Sequence, residues 1–237
     1  MGGIENGNLF ATLGELSSDD SLLNLHKMKV TYNSPVVLTF TFASALVLIL
    51  NEVTAGAMTP YFSVGGTMNW ASPLDYFRLF SHVLGHADWA HLFGNFTFIL
   101  LIGPILEEKY GGGKLLGMIL VTALVTGLCN VFFFSNGLLG ASGIVFMMIL
   151  LGSIVNAERG TIPLTFILVA VLFLGKEIAD IFRDDQVSQA AHIIGGICGA
   201  AFGFFLIGEK KKPGAGSTAS TEDTTASDDF PGLSDLE

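Results

Sequence analysis

Six apolar stretches dominate this chain, near residues 35–52, 89–106, 115–134, 141–156, 162–176 and 190–207. Each is long enough, or nearly so, to cross a bilayer, which takes about 17–25 apolar residues in a helix. No water reaches the hydrocarbon, so a crossing segment must satisfy its own N–H and C=O groups, and each stretch reads as a helix. The expected fold is therefore all-α: a polytopic membrane protein with a bundle of six transmembrane helices over residues 35–208. With 51% apolar and 14% charged side chains, the 237 residues are too apolar for an ordinary soluble domain. Twenty-nine glycines suit helices that pack closely in lipid. Pro163 is expected in the first turn of the fifth stretch, where a missing N–H costs nothing.

The flanking segments differ in kind. Residues 1–34 hold no long apolar core, so no secretory signal is expected and the first apolar stretch should stay as an anchor. Residues 209–237 read as a disordered acidic tail, with six acidic and no basic residues from Pro213 to Glu237. Orientation follows from the basic residues. An inward-facing N-terminus puts Lys27, Lys29, Lys109, Lys114, Arg159, Lys210, Lys211 and Lys212 on the cytoplasmic side, against Arg78, Lys176 and Arg183 outside. Both termini are expected in the cytoplasm, with the bundle in a cell (plasma) membrane and Lys210–Lys212 against anionic lipid. No basic stripe for a nucleic acid exists.

This orientation places the chemistry-bearing residues at one depth. Ser142 is expected to open the fourth helix and His192 the sixth, while His86, His91 and Asn95 surround the start of the second. All fall near the outer face. The long connection 53–88 carries Tyr61, Phe62, Trp70, Tyr76, Phe77 and Phe80. Aromatics at that density favour the membrane interface, so a partly embedded hairpin is expected. Cys129 and Cys198 sit in apolar stretches and read as small packing residues.

Serine becomes a nucleophile when a base takes its proton, and histidine is the usual base. Most serines in membrane helices only bond back to their own carbonyls, as expected for Ser44 and Ser153. Ser142 is set apart by Gly140 and Gly143, which admit a close neighbour, and by a helix start with free N–H groups. A lone histidine on an apolar helix is more often a core residue than a base. His192, however, precedes Gly195, Gly199 and Gly203, whose spacing of four permits tight helix contact. If the helix of Ser142 is that neighbour, Ser142 and His192 come within reach, and Phe146, four residues after Ser142, can stack on the imidazole. His91 and Asn95 are also four apart, and their side chains can donate to an oxyanion. A zinc site would want His-Glu-x-x-His, whereas His86 and His91 are five apart with no glutamate between them, so no cofactor or metal is expected.

Three motifs then occur in order: Arg78 leading to His86-x4-His91-x3-Asn95, Gly140-x-Ser142-Gly143, and Ala191-His192-x-x-Gly195. With Gly103-Pro104 to Glu107 and Tyr110-Gly111, they make the chain resemble the rhomboid intramembrane serine proteases over roughly residues 35–208. The resemblance implies Ser142 as nucleophile and His192 as base, with Asn95, His91 and the Ser142 amide as oxyanion hole. It also implies that His86 braces the site and Arg78 holds the long loop. Substrates would be single-span or polytopic membrane proteins, met within the lipid bilayer. Two positions depart from the family pattern: Phe77 stands where tryptophan is frequent, and Phe146 where tyrosine is. The rival readings are an inactive rhomboid-like protein that binds membrane clients and, more distantly, a transporter, which would want internal repeats and broken helices.

Overall fold

The computed structural model describes residues 31–158, 160–180 and 186–207. The acidic tail, nearly all of the N-terminal segment and residues 181–185 lie outside the described residues. Among the described residues the chain is helical, and the only β pairing is an isolated antiparallel bridge between Val64 and Leu138.

Among the described residues, three helices are long and apolar enough to cross a membrane: α1 (Pro35–Val53), α3 (Trp89–Tyr110) and α4 (Gly112–Phe133). Between α1 and α3 lie a 3₁₀ turn at Thr59–Tyr61, the short helix α2 (Pro73–Ser81) and a second 3₁₀ turn at His82–Leu84. The later helices are α5 (Ser142–Ile154), α6 (Leu164–Asp180) and α7 (Gln186–Phe205).

Helix ends move by up to four residues from the sequence reading, and three features of that reading are corrected. Pro163 directly precedes α6, its carbonyl accepting from Ile167 N–H at 3.3 Å. It thus stands just outside the first turn, since a helix needs the preceding carbonyl and not the proline N–H. α7 begins at Gln186, so His192 sits in its second turn and does not open the helix. Asp184 and Asp185 precede Gln186 in sequence, and acidic groups favour a helix start there. The connection 53–88 is also no bare hairpin, because it contains α2 and two 3₁₀ turns.

α5 is the central helix. Ten of its thirteen residues are buried, from Gly143 through Leu151 and again at Ile154. At about 1.5 Å rise per residue it spans roughly 20 Å, short of a hydrocarbon core of about 30 Å. Its closest partner is α7. A Cβ on Gly195 would overlap the Gly143 carbonyl, one on Gly199 would overlap the Met147 carbonyl, and one on Gly203 would lie 2.8 Å from Ile154 Cδ1. Glycines four apart on α7 thus meet Gly143 and Met147, also four apart on α5, and bring the backbones together. In lipid, where apolar burial gives little drive for helix association, this dispersion contact is what small residues supply.

Polar side chains fix the ends. Buried Glu107, near the end of α3, accepts the N–H groups of Val36 and Val37 at 3.0 Å each. It caps the α1 N-terminus, whose first N–H groups have no partner within the helix. The 53–88 connection is held by Arg78, which donates to the Pro60 carbonyl and pairs with Asp75, and by Ser81, whose hydroxyl donates to the Tyr61 carbonyl at 2.6 Å. Asn130 of α4 donates to the carbonyls of Asn136, Gly65 and Val64 at 3.0–3.4 Å, clamping this connection to the segment before α5.

Candidate active site

The site is built where α3, α5 and α7 begin. At α3, Asp88 is the N-cap and its Oδ1 accepts the His91 N–H at 2.7 Å. An N-cap bond of this kind fixes where the helix starts, and so places His91 in the first turn and Asn95 in the second, on one face. Asn95 is buried, and its Nδ2 lies 3.1 Å from His86 Nε2.

His86 Nδ1 lies 3.2 Å from the Leu84 carbonyl, which can only accept, so Nδ1 carries the proton. Nε2 of the neutral ring is then the acceptor, and Asn95 donates to it. Burial, with His91 adjacent, pushes the His86 imidazole down to about 4, which keeps the ring in this neutral form at neutral pH. The rings of His86 and His91 meet edge to face with centroids 5.0 Å apart.

The segment leading into α5 is pressed against this pair. Gly140 has φ +122°, a backbone region that favours glycine, and its N–H donates to the His82 carbonyl at 3.0 Å. A Cβ there would fall 2.7 Å from His91 Cε1 and Nε2 and 3.8 Å from Asn95 Nδ2. Glycine is required at 140 on both counts, conformation and space. Ser142 follows two residues later as the first residue of α5.

Gly143 and α7 form the other wall. A Cβ on Gly143 would lie 3.2 Å from Thr126 Cγ2 and 3.3 Å from the Ala191 carbonyl. The Phe146 ring stacks on the His192 imidazole, with centroids 4.5 Å apart and planes 10° from parallel. The predicted residues thus form two clusters. His86, His91, Asn95 and Gly140 make one, Gly143, Phe146, His192 and Gly195 make the other, and Ser142 lies in the chain between them. Arg78 stands apart, in the contacts that hold the 53–88 connection.

Several polar residues near the site escaped the sequence reading. Thr122, Thr126 and Asn130 are buried along one face of α4, and His82 Nε2 lies 3.3 Å from Thr126 Oγ1 while its Nδ1 donates to the Arg78 carbonyl at 3.1 Å. Their spacing of four in an apolar helix was the available signal. Gln189, three residues before His192, is buried as well.

Comparison with known proteins shows which family the chain resembles. A family model described as the Rhomboid domain matches residues 73–209. The chain is 29% identical to "Rhomboid protease GlpG" of Pectobacterium atrosepticum over 191 residues, covering 76% of this chain and 65% of that protein. It is 25% identical over 130 residues to the protein of that name from Haemophilus influenzae, covering 54% of this chain and 68% of the relative. With the one from an Enterobacter species the identity is 28% over 179 residues, covering 72% and 62%. The chain spans just under two thirds of the length of the first of these relatives. The matched region contains all three motifs and every helix from α2 to α7, and on that ground the chain belongs to the rhomboid family.

Proposed function

We propose that this chain is an intramembrane serine endopeptidase that hydrolyses peptide bonds in or next to transmembrane segments of membrane proteins, using Ser142 and His192 as a dyad. The observation that carries the reading is the register of α5 against α7. Gly195 lies on the Gly143 backbone and Phe146 lies on His192. That register supports a meeting of Ser142 at the start of α5 with His192 on α7, the pairing of nucleophile and base that the sequence leads one to expect.

His192 takes the proton from Ser142 Oγ as the oxygen attacks the scissile carbonyl. The tetrahedral intermediate carries a negative oxygen, received by the Ser142 N–H at the start of α5, by Asn95 Nδ2 and by the His91 ring. His86 accepts one Asn95 N–H and so aims the other. Gly140 lets the backbone approach His91 and Asn95, Gly143 and Gly195 let α5 and α7 meet, and Arg78 steadies the 53–88 connection. His192 then gives its proton to the leaving amine, and a water deacylates Ser142 by the same route. α5 is shorter than the hydrocarbon is thick, which supports a Ser142 recessed from the membrane surface and a reaction within the bilayer.

The accompanying architecture is six transmembrane helices over residues 35–208, α1 and α3–α7, with residues 1–34 and the acidic tail 209–237 in the cytoplasm and the bundle in the plasma membrane. Positive residues on the inward side support it. The test is to label purified protein with a serine-directed fluorophosphonate and to assay a single-span substrate. Labelling confined to Ser142 together with substrate cleavage is the expected result. A client that binds without cleavage, and no labelling, would give the inactive reading instead.

A further inference from the structure

Gln189 lies one helical turn before His192 on the same side of α7. It is only 9% exposed, and its Oε1 has no hydrogen-bond partner. Buried polar atoms are nearly always paired, so an orphaned acceptor next to a reactive centre calls for an explanation. The first turns of α7 abut the start of α5, since the Ala191 carbonyl lies 3.3 Å from where a Gly143 Cβ would be. Gln189 therefore belongs to the part of α7 that runs up to the start of α5, where Ser142 stands.

We propose that Gln189 Oε1 accepts a backbone N–H of the substrate segment that flanks the scissile bond, an inference that rests on the protease reading. A helical peptide bond is shielded, so a substrate must unwind where it is cut. Unwinding releases main-chain N–H groups in a place where little water can take them up. A carboxamide oxygen is an acceptor only, which matches a freed N–H and not a freed carbonyl. Gln189 thereby binds the unwound form of the substrate and leaves the helical form, whose N–H groups are already bonded, without that contact. Its selectivity is for backbone conformation and not for side chains.

The test uses the full chain in one detergent and synthetic single-span substrates in which one amide near the cut, other than the scissile one, is replaced by an ester. The ester removes one N–H and weakens the carbonyl of the same linkage as an acceptor, and the second effect is common to wild type and the Gln189 variants. For wild type, one ester position should lower kcat/KM roughly three- to tenfold, as expected for loss of one hydrogen bond. Gln189→Leu should lose a similar factor on the all-amide substrate and nothing more on that ester, while Gln189→Glu, which keeps an acceptor, should remain sensitive to it. Fluorophosphonate labelling of Ser142 checks that each variant keeps its nucleophile, and Gln189→Met replaces the leucine variant if that one fails to fold. If every ester costs Gln189→Leu and Gln189→Met the same factor as wild type, or if no ester position affects wild type, the proposal is overturned. Absence of both labelling and cleavage in wild type overturns the protease reading itself.

Discussion

The Phe146 ring lies flat on the His192 imidazole, 4.5 Å between centroids and 10° between planes. The two residues sit on the helices that touch backbone to backbone through Gly143 and Gly195. Glycine contact fixes the distance between α5 and α7, and the stack fixes the rotation of the imidazole. Aromatic pairs contribute about 0.5–1.5 kcal/mol beyond the area they bury. Removing the ring while keeping an apolar side chain should therefore cost about tenfold at most. Phe146→Leu is expected to lower kcat by that order with KM little changed, and Phe146→Tyr, which keeps the ring, to stay near wild type. Initial rates over a range of substrate concentration separate the two parameters, and equal rates for the leucine and tyrosine variants would remove any role for stacking.

Ser142→Ala and His192→Asn should each abolish cleavage. Both substitutions remove a reacting group without adding bulk, so melting in detergent should stay close to wild type. Normal cleavage by either variant would end the dyad reading.

Asn95→Ala removes a proposed oxyanion donor and also leaves His86 Nε2 without its partner. Loss of one such donor typically lowers turnover by about 10²–10³. An interaction made only in the transition state shows in kcat and not in KM. If the variant instead raised KM at constant kcat, Asn95 would be a substrate-binding group.

Two glycine substitutions should act in opposite directions. A Cβ on Gly195 has nowhere to go but into the Gly143 backbone, so Gly195→Ala should destabilise the fold by about 1–3 kcal/mol, the usual range for overpacking. Gly117, inside α4, has nothing within 4 Å of an added Cβ. Alanine there should stabilise the helix by up to about 1 kcal/mol. Denaturation of the two variants side by side in one detergent checks the contrast.

Acid should weaken the fold through His82 and His86. Burial pushes each imidazole down to about 4, helped at His86 by the neighbouring His91. In the unfolded chain these rings take up protons from a pH of about 6.5 downward, in the folded one only near 4. Stability from neutral burial is thus complete above pH 6.5 and is lost as the pH falls towards 4, by up to about 3 kcal/mol per ring. Melting temperatures from pH 7 to pH 4.5 should fall less steeply in His82→Gln than in wild type. Parallel slopes would show that His82 is not buried in its neutral form.

Much of this protein could be read from its sequence. Apolar length alone marks α1, α3 and α4, because nothing but a helix satisfies so long a backbone out of water. The four-residue rhythm of Gly195, Gly199 and Gly203 announces a tight helix contact, and Ser142, His192, His91 and Asn95 stand out as polar groups where polarity is costly. Tertiary structure decided the rest. It selected α5 as the partner of the glycine face and set His192 in the second turn of α7, because helix starts depend on caps and on neighbouring chain as much as on composition. It also showed Glu107 capping α1, Asn130 holding the connection 53–88, and Gln189 with an unpaired oxygen. The first two join residues about seventy positions apart or bridge two loops, and the third is defined by what does not surround it. Local sequence pattern reports which face of a helix is polar. Which distant backbone group that face meets is set only when the helices pack.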